Sequence, residues 1–485
     1  MSNSIKTLQP EAVWHNFHSL TQVPRPSKKE AQIIAFMKKF GESLGLETIV
    51  DKVGNVIIRK PATPGMENRK GVILQSHLDM VPQKNSDKIH DFEKDPIETI
   101  IDGEWVRANG TTLGADNGMG VAAIMGVLAS KDLEHGLVEG LFTIDEESGM
   151  TGAFNLEPGI LKGDILLNLD SEDEGELYIG CAGGIDGNFV FNFKEVPLET
   201  NTQPYLITVT GLKGGHSGMD IPLGRGNSAK IITRLLWHGV TKHGLRLSDI
   251  EAGNMRNAIP REGKAIVTIP MAEIEGFEKC FNKMTEAIKA EYSVTEPTLN
   301  IKVEKCTAPQ HLMDVETQNN LLRALYACPN GVIRMSDSMM GLVETSTNLS
   351  IVKREGTQVK ISCLLRSSVN SAKEDLSIMM RSIFELAGAE VNFAGEYPGW
   401  KPNPESSILK TMQEVYKNKY GKIPEIKAIH AGLECGLLGA VYPKWDMISF
   451  GPTIRNPHSP DEKVHIASVQ KFWDFLTETL KHIPA

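Results

Sequence analysis

Residues 141–150, LFTIDEESGM, run from an apolar stretch into three consecutive acids, Asp145, Glu146 and Glu147. Carboxylates at the exit of a buried strand are costly unless they are paired, protonated or metal-bound. Four other stretches place titratable groups in the same way. VILQSHLDMVP sets His77 and Asp79 at the end of an apolar run, TTLGADNGMGVAAIM sets Asp116 in a turn before a small-residue helix, and GDILLNLD (163–170) ends in Asp170. FGPTIRNPHSPDEKVH puts His458 in a proline-flanked loop near the carboxyl end. Each has an ordinary reading by itself: a core histidine bonded to a neighbour, a turn aspartate, a solvated acidic loop. Taken in the order H-x-D, D, EE, D, H, two imidazoles and several carboxylates are the ligand set of a two-metal hydrolytic site.

For these groups to meet, the strands that carry them must end at one edge. Ligands collect at the carboxyl ends of strands in a parallel sheet. The sequence KKEAQIIAFMKKFGESLGL has apolar residues at helical spacing, whereas GNVIIRK, GVILQSH and EGLFTID are short β-type runs, with a helical stretch over residues 117–130 between them. This alternation predicts an α/β catalytic domain with a mostly parallel twisted sheet flanked by helices. The pattern changes near residue 198, where PYLITVTGLKGG and KAIVTIPMAEI alternate as half-exposed strands beside helices such as NSAKIITRLLWHG. Residues 198–398 are therefore expected to form an inserted α+β lid domain, read as two related halves without a clear sequence repeat. Its far boundary is the proline- and glycine-punctuated YPGWKPNPESS. The catalytic domain is then discontinuous, residues 1–197 and 399–485.

At 485 residues the chain is long for a single core. Its net charge of −10 argues against nucleic acid and anionic membrane as partners. The opening MSNSIKTLQPEAVWHNFHSL lacks the apolar core of a signal peptide, and NGMGVAAIMGVLAS is too short and glycine-broken to span a bilayer. Cys181, Cys280, Cys306, Cys328, Cys363 and Cys435 show no CxxC spacing, so neither a thiolate metal site nor a disulfide scaffold is indicated. The expectation is a reduced, cytoplasmic protein.

The stretches SHLDMVPQ, GTTLGADNGMG, DEESGMTGA, LNLDSEDEGE, GLKGGHSGMD, RNAIPRE, HAGLECG and GPTIRNPHSPDE together make the chain resemble, essentially end to end, a family of enzymes. This is the di-zinc metallopeptidase family that includes carboxypeptidase G-type enzymes, aminoacylase and carnosinase. The likeness is strongest to its dipeptidases acting on aminoacyl-histidine substrates. The resemblance implies two Zn²⁺ per chain, with Co²⁺ or Mn²⁺ able to substitute. Asp116 would bridge them, His77 and Asp170 would complete one site, and Glu147 and His458 the other. Asp79 would accept a hydrogen bond from His77 and fix its tautomer, and the Asp116–Asn117 peptide would be cis. Adjacent residues at a strand exit point in divergent directions. Glu147 would thus face the metal, while Glu146 takes the proton of the water held between the metals and returns it to the leaving amine. Asp145 receives no role.

The resemblance also implies that His216, on the glycine-flanked turn of KGGHSGMD, stabilises the oxyanion. Such a histidine comes from the lid or from a partner subunit. The insert is roughly twice one ferredoxin-like unit of about 100 residues, so its second half could replace a partner; homodimerisation is left open. Arg366 in SCLLRSS and Asn257 in RNAIP match substrate-binding positions, with Arg225, Arg256 and Arg261 as nearby competitors, and Glu434 in HAGLECG reads as a supporting acid. The implied activity is hydrolysis of unblocked dipeptides with broad specificity, Xaa-His among them. The alternative is an aminoacylase- or deacetylase-type amidohydrolase on N-acyl amino acids with the same di-metal site.

Overall fold

The apolar runs Val72–His77, Val138–Thr143 and Ile165–Asn168 are strands buried along their whole length. Strands buried at every position, Gln75, Ser76 and Glu139 included, belong to a sheet covered on both faces. They are seen in a computed structural model that describes residues 4–485. The chain divides into two compact units, Met1–Gly180 with Pro402–Ala428 and Leu433–Ala485, and Cys181–Lys401 with Ile429–Gly432.

The first unit is built on an eight-stranded sheet. Its order is Glu47–Val50, Val56–Lys60, Val138–Thr143, Val72–His77, Ile165–Asn168, Asp446–Ser449, Glu176–Cys181, Glu425–Ile429. The four central strands, from Val138–Thr143 to Asp446–Ser449, pair in parallel. The Glu47–Val50 and Val56–Lys60 pair joins one side antiparallel. The helix Ala115–Ala129 packs against Val72–His77 and against the helix Glu11–Thr21. It can do so because of its small residues: a Cβ at Gly120 would stand 2.4 Å from Ser76 Oγ and 2.7 Å from the Leu169 carbonyl oxygen. Gly120 thus lets the helix start close against two strand ends. The central strands being parallel, His77 and the residues just beyond Thr143, Asn168 and Ser449 emerge at the same edge.

The second unit holds a nine-stranded sheet and its helices; eight of the strands fall into two sets with one topology, and the ninth, Gly331–Met335, pairs with Val343–Glu355. Thr202–Thr210, helix Ser228–His243, Arg246–Ala252, Gly263–Pro270, helix Ile274–Glu291 and Asn300–Lys305 form a β-α-β-β-α-β set, with sheet order fourth, first, third, second strand. Gly183–Asn192, helix Val315–Ala327, Val343–Glu355, Gln358–Ser367, helix Asn370–Leu386 and Glu390–Tyr397 form another set in the same order. The sets join where Arg246–Ala252 pairs with Val343–Glu355. The first set is inserted between the first strand and first helix of the second.

This insertion explains why a boundary at 197/198 is too late. Gly183–Asn192 alternates buried and half-buried residues, and its partners are Gln358–Ser367 and Glu390–Tyr397. The chain therefore enters the second unit at Cys181. Pairing with strands so distant in sequence leaves no local signal.

Candidate metal centre and active site

His77 ends its strand with Nε2 turned to two carboxylates, 3.2 Å from Asp116 Oδ1 and 3.5 Å from Asp170 Oδ1. His458, held by a proline-flanked loop in a left-handed conformation (φ 59°), places Nε2 3.2 Å from Asp116 Oδ2 and 2.9 Å from Glu147 Oε2. The two oxygens of Asp116 thus face different imidazoles. In each triad, His77–Asp116–Asp170 and Asp116–Glu147–His458, the ligating atoms lie within 4.8 Å of one another. Tetrahedral zinc with bonds of about 2.0–2.2 Å to nitrogen and oxygen spaces its ligands by about 3.3 Å. Spacings of 2.9–3.5 Å fit such an ion in each triad. The donors are nitrogen and oxygen only, suited to zinc and to first-row cations like it. The Asp116–Asn117 peptide is cis.

The electrostatics fit the same donors. Burial and the charges of Asp116 and Glu147 push Asp170 up to about 7, and burial with Asp116 and Asp170 pushes Glu172 up to about 8. His458 is raised to about 11 by its bonds to Asp116 and Glu147. Carboxylates crowded this closely repel one another, and a divalent cation among them relieves that repulsion.

The geometry of the EE pair differs from a strand exit. Asp145 is left-handed (φ 53°), and Glu146–Gly149 is a short helix. Successive helical residues point about 100° apart, so the two glutamates diverge through a helical turn instead of strand alternation. Glu146 has an oxygen within 4.8 Å of ligating atoms of His77 and Glu147. Burial holds its carboxyl well above the ordinary range, and Asp170, Glu434 and Glu147 act in the same sense. Asp145 is buried; it accepts from the Thr151 hydroxyl, and its amide donates to Glu30 Oε1 at 3.1 Å. It shapes the turn.

Asp79 ties the parts together. Its Oδ1 lies 3.3 Å from His77 Nδ1 and accepts the Glu146 amide at 3.0 Å, while Oδ2 accepts the Glu147 amide at 3.2 Å and the Ser27 hydroxyl at 2.7 Å. With Nε2 facing the ligands, His77 Nδ1 is the nitrogen that donates, to the Asp79 main-chain carbonyl at 3.1 Å. Asp79 therefore fixes the His77 tautomer through its main-chain carbonyl with its carboxylate alongside, and that fully buried carboxylate anchors the helix that presents both glutamates. Asp79→Asn puts an NH₂ group where only acceptors serve. Zinc affinity is expected to fall about 10–100-fold, measured by chelator competition; unchanged affinity would refute this role.

Four supporting side chains, Glu462, Arg25, Gln75 and Thr143, were not picked out from sequence. Glu462 accepts four successive amides, of Leu113, Gly114, Ala115 and Asp116, at 2.7–3.1 Å, and so fixes the turn that aims Asp116. It lies in the quoted GPTIRNPHSPDE stretch, where its proximity to His458 was the available signal. Buried Arg25 donates to the carbonyls of Leu78, Asp79 and Gly114, joining a strand end to that turn. Gln75 bonds Glu434 Oε2 at 2.6 Å, and Thr143 bonds the same oxygen at 2.8 Å. Glu434 is thus a supporting acid, pushed up to about 7 chiefly by burial.

Within the second unit, His216 Nδ1 accepts the amides of Gly218 and Met219 at 3.2 and 3.0 Å, which leaves Nε2 to carry a donor proton. Burial and Arg366 hold this imidazole below its ordinary pKa, hence neutral. Arg366 is 4% exposed. It bonds the Tyr397 hydroxyl at 3.0 Å and Ser217 Oγ at 3.5 Å, but no described carboxylate pairs with it and its Nε has no partner. Its competitors differ: Arg256 pairs with Asp186, Arg225 pairs with Asp220, and Arg261 is exposed. Asn257 is exposed, and its carbonyl accepts the Ser217 amide at 2.8 Å. The residues around Ser217 thus gather His216, Asn257 and Arg366 in one part of this unit.

Comparison with known proteins gives a consistent picture. The sequence pattern of peptidase family M20/M25/M40 matches residues 73–482. The chain is 45% identical over 483 residues to the cytosol non-specific dipeptidase of Escherichia coli (strain K12), covering all of both proteins. Among solved structures, the aminoacylhistidine dipeptidase from Vibrio alginolyticus superposes with a TM-score of 0.95 at 49% identity, over 99% of this chain and 98% of that one. The aminopeptidase PepT from Bacillus cereus ATCC 10987 superposes with a TM-score of 0.58 at 16% identity, over 98% and 99% of the two chains, a likeness of fold alone.

Proposed function

Because the chain belongs to peptidase family M20/M25/M40, we propose residue roles for the reaction that it catalyses, the metal-dependent hydrolysis of the peptide bond of unblocked dipeptides. Relatives named for non-specific and for aminoacylhistidine dipeptidase activity support broad specificity that includes Xaa-His. The observation that carries the assignment of the centre is Asp116, whose two oxygens face two imidazoles in two triads.

His77, Asp116 and Asp170 would hold one Zn²⁺, and Asp116, Glu147 and His458 a second, with Co²⁺ or Mn²⁺ able to replace them. Bound there, the ions supply Lewis acidity to the scissile carbonyl and to the attacking water. Glu146 takes a proton as the water oxygen bonds to the carbonyl carbon, then delivers it to the amine nitrogen as the C–N bond breaks. His216 donates from Nε2 to the developing oxyanion. Arg366, buried and lacking a carboxylate, takes the free carboxylate of the dipeptide, and Asn257 donates to the substrate beside it.

The test is a panel of Ala-His, its carboxy-terminal amide and N-acetylalanine. Ala-His is expected to be hydrolysed best. The amide should lose most of its advantage, and Arg366→Met should raise KM for Ala-His while leaving the amide little changed. Turnover of N-acetylalanine alone would replace the dipeptidase assignment with an N-acyl amidohydrolase.

A further inference from the structure

The helical layer of the second unit carries another set of metal-binding side chains, none used in the chemistry above. His238 and His243 lie on the helix Ser228–His243, and Cys280 lies on the neighbouring helix Ile274–Glu291. A ring nitrogen of each histidine and the Cys280 sulfur lie within 4.8 Å of one another. Cys280 Sγ is 3.6 Å from His238 Nδ1 and 3.7 Å from its Nε2, and Glu273, at the entry to the second helix, brings Oε2 to 3.1 Å from His243 Nδ1. Gly276 leaves room for this pair: a Cβ there would stand 3.3 Å from His243 Cε1 and 3.9 Å from Glu273 Oε2.

These spacings can be set against a metal. Tetrahedral zinc, with bonds of about 2.3 Å to sulfur and about 2.0–2.1 Å to nitrogen or oxygen, separates sulfur from nitrogen by about 3.5 Å and nitrogen from oxygen by about 3.3 Å. The two measured contacts, 3.6 Å and 3.1 Å, fall close to both values. The thiol and the two imidazoles are three ligands with a soft member, which favours zinc over calcium or magnesium, and Glu273 stands beside His243 as the carboxylate to complete the set. The cluster is also reachable: His238, His243 and Cys280 are half-buried and Glu273 is exposed, whereas of the other five cysteines only Cys306 escapes full burial. Both helices cover the same β-α-β-β-α-β set, so an ion here would pin the end of one to the start of the other.

We propose that His238, His243, Cys280 and Glu273 bind a zinc-class divalent cation, a third metal site confined to the second unit and separate from the two triads around Asp116. Without an ion, the same contacts would be a thiol–imidazole hydrogen bond beside an independent imidazole–carboxylate pair.

Cobalt distinguishes the two, because only a thiolate ligand gives a sulfur-to-cobalt charge-transfer band in the near ultraviolet, and the triads around Asp116 contain no sulfur. Full-length protein, stripped with a chelator and titrated with Co²⁺, is expected to develop that band and to bind about three ions per chain. Cys280→Ser should abolish the band, bind about one ion fewer, and hydrolyse Ala-His at the wild-type rate. Zn²⁺ should protect Cys280 from a thiol-alkylating reagent in wild type but not in His243→Gln, a readout that does not depend on the Ser variant folding. No band, a band that persists in Cys280→Ser, or alkylation indifferent to Zn²⁺ would each overturn the site.

Discussion

Replacing Glu146 by Gln is expected to lower kcat for Ala-His by about 10²–10⁴-fold, the usual contribution of a positioned general base, with zinc content unchanged. Three features support so selective a loss. Glu146 belongs to neither metal triad that contains Asp116, and although it also lies near His77 and Glu147, each triad has its three ligands without it. The amides of Glu146 and Glu147 are anchored by Asp79, and Gln leaves that anchor alone. The side chain stays isosteric but can no longer accept a proton. KM should therefore change little, the signature of an interaction made in the transition state and not in the ground state. Steady-state kinetics beside metal analysis on the same preparation checks it. A near-normal kcat would remove Glu146 from the chemistry, and a loss of zinc would make it a ligand.

Asp116→Ala should remove metal as well as activity. Each triad loses one of its three protein ligands at a stroke, because Oδ1 and Oδ2 serve different imidazoles. Polarisation of the carbonyl by bound metal is worth several kcal/mol, and each 1.36 kcal/mol is tenfold in rate, so activity should fall on the order of 10³-fold or more. The turn itself should survive, since Glu462 holds the amides of residues 113–116 and not the Asp116 side chain. Asp170→Ala provides the contrast: only the triad of His77 loses a ligand. Asp116→Ala should bind less zinc than Asp170→Ala by metal analysis after dialysis; equal zinc in the two variants would contradict a bridging role for Asp116.

The residues of the two triads were conspicuous in the sequence for a physical reason, while their roles as ligands came from the resemblance. A covered parallel sheet needs continuous apolar strands, and its ligands must follow where those runs stop. His77, Asp116, Glu147 and Asp170 accordingly stand at conspicuous changes from apolar to charged residues, and His458 in a loop too proline-rich to be helix or strand. The helical turn at Glu146–Gly149 was not legible, because a left-handed Asp145 rather than any periodicity starts it. The supports were hidden for another reason. Glu462 lies about 350 residues from the turn it caps, and Arg25 reaches its carbonyls from a separate proline-punctuated stretch. The entry to the second unit at Cys181 depends likewise on non-local strand pairing. His238, His243 and Cys280 show no ligand spacing along the chain, and only the packing of two helices brings them together.

The most direct test of the central claim is a zinc titration of chelator-stripped protein, with Ala-His hydrolysis followed at each addition. It is best made in the Cys280→Ser background, so that only sites around Asp116 are counted. The stripped protein should be inactive, and the rate should rise with bound zinc and saturate near about two ions per chain. Hydrolysis by the stripped protein, or saturation with no dependence on bound metal, would contradict the assignment of this centre as the catalyst.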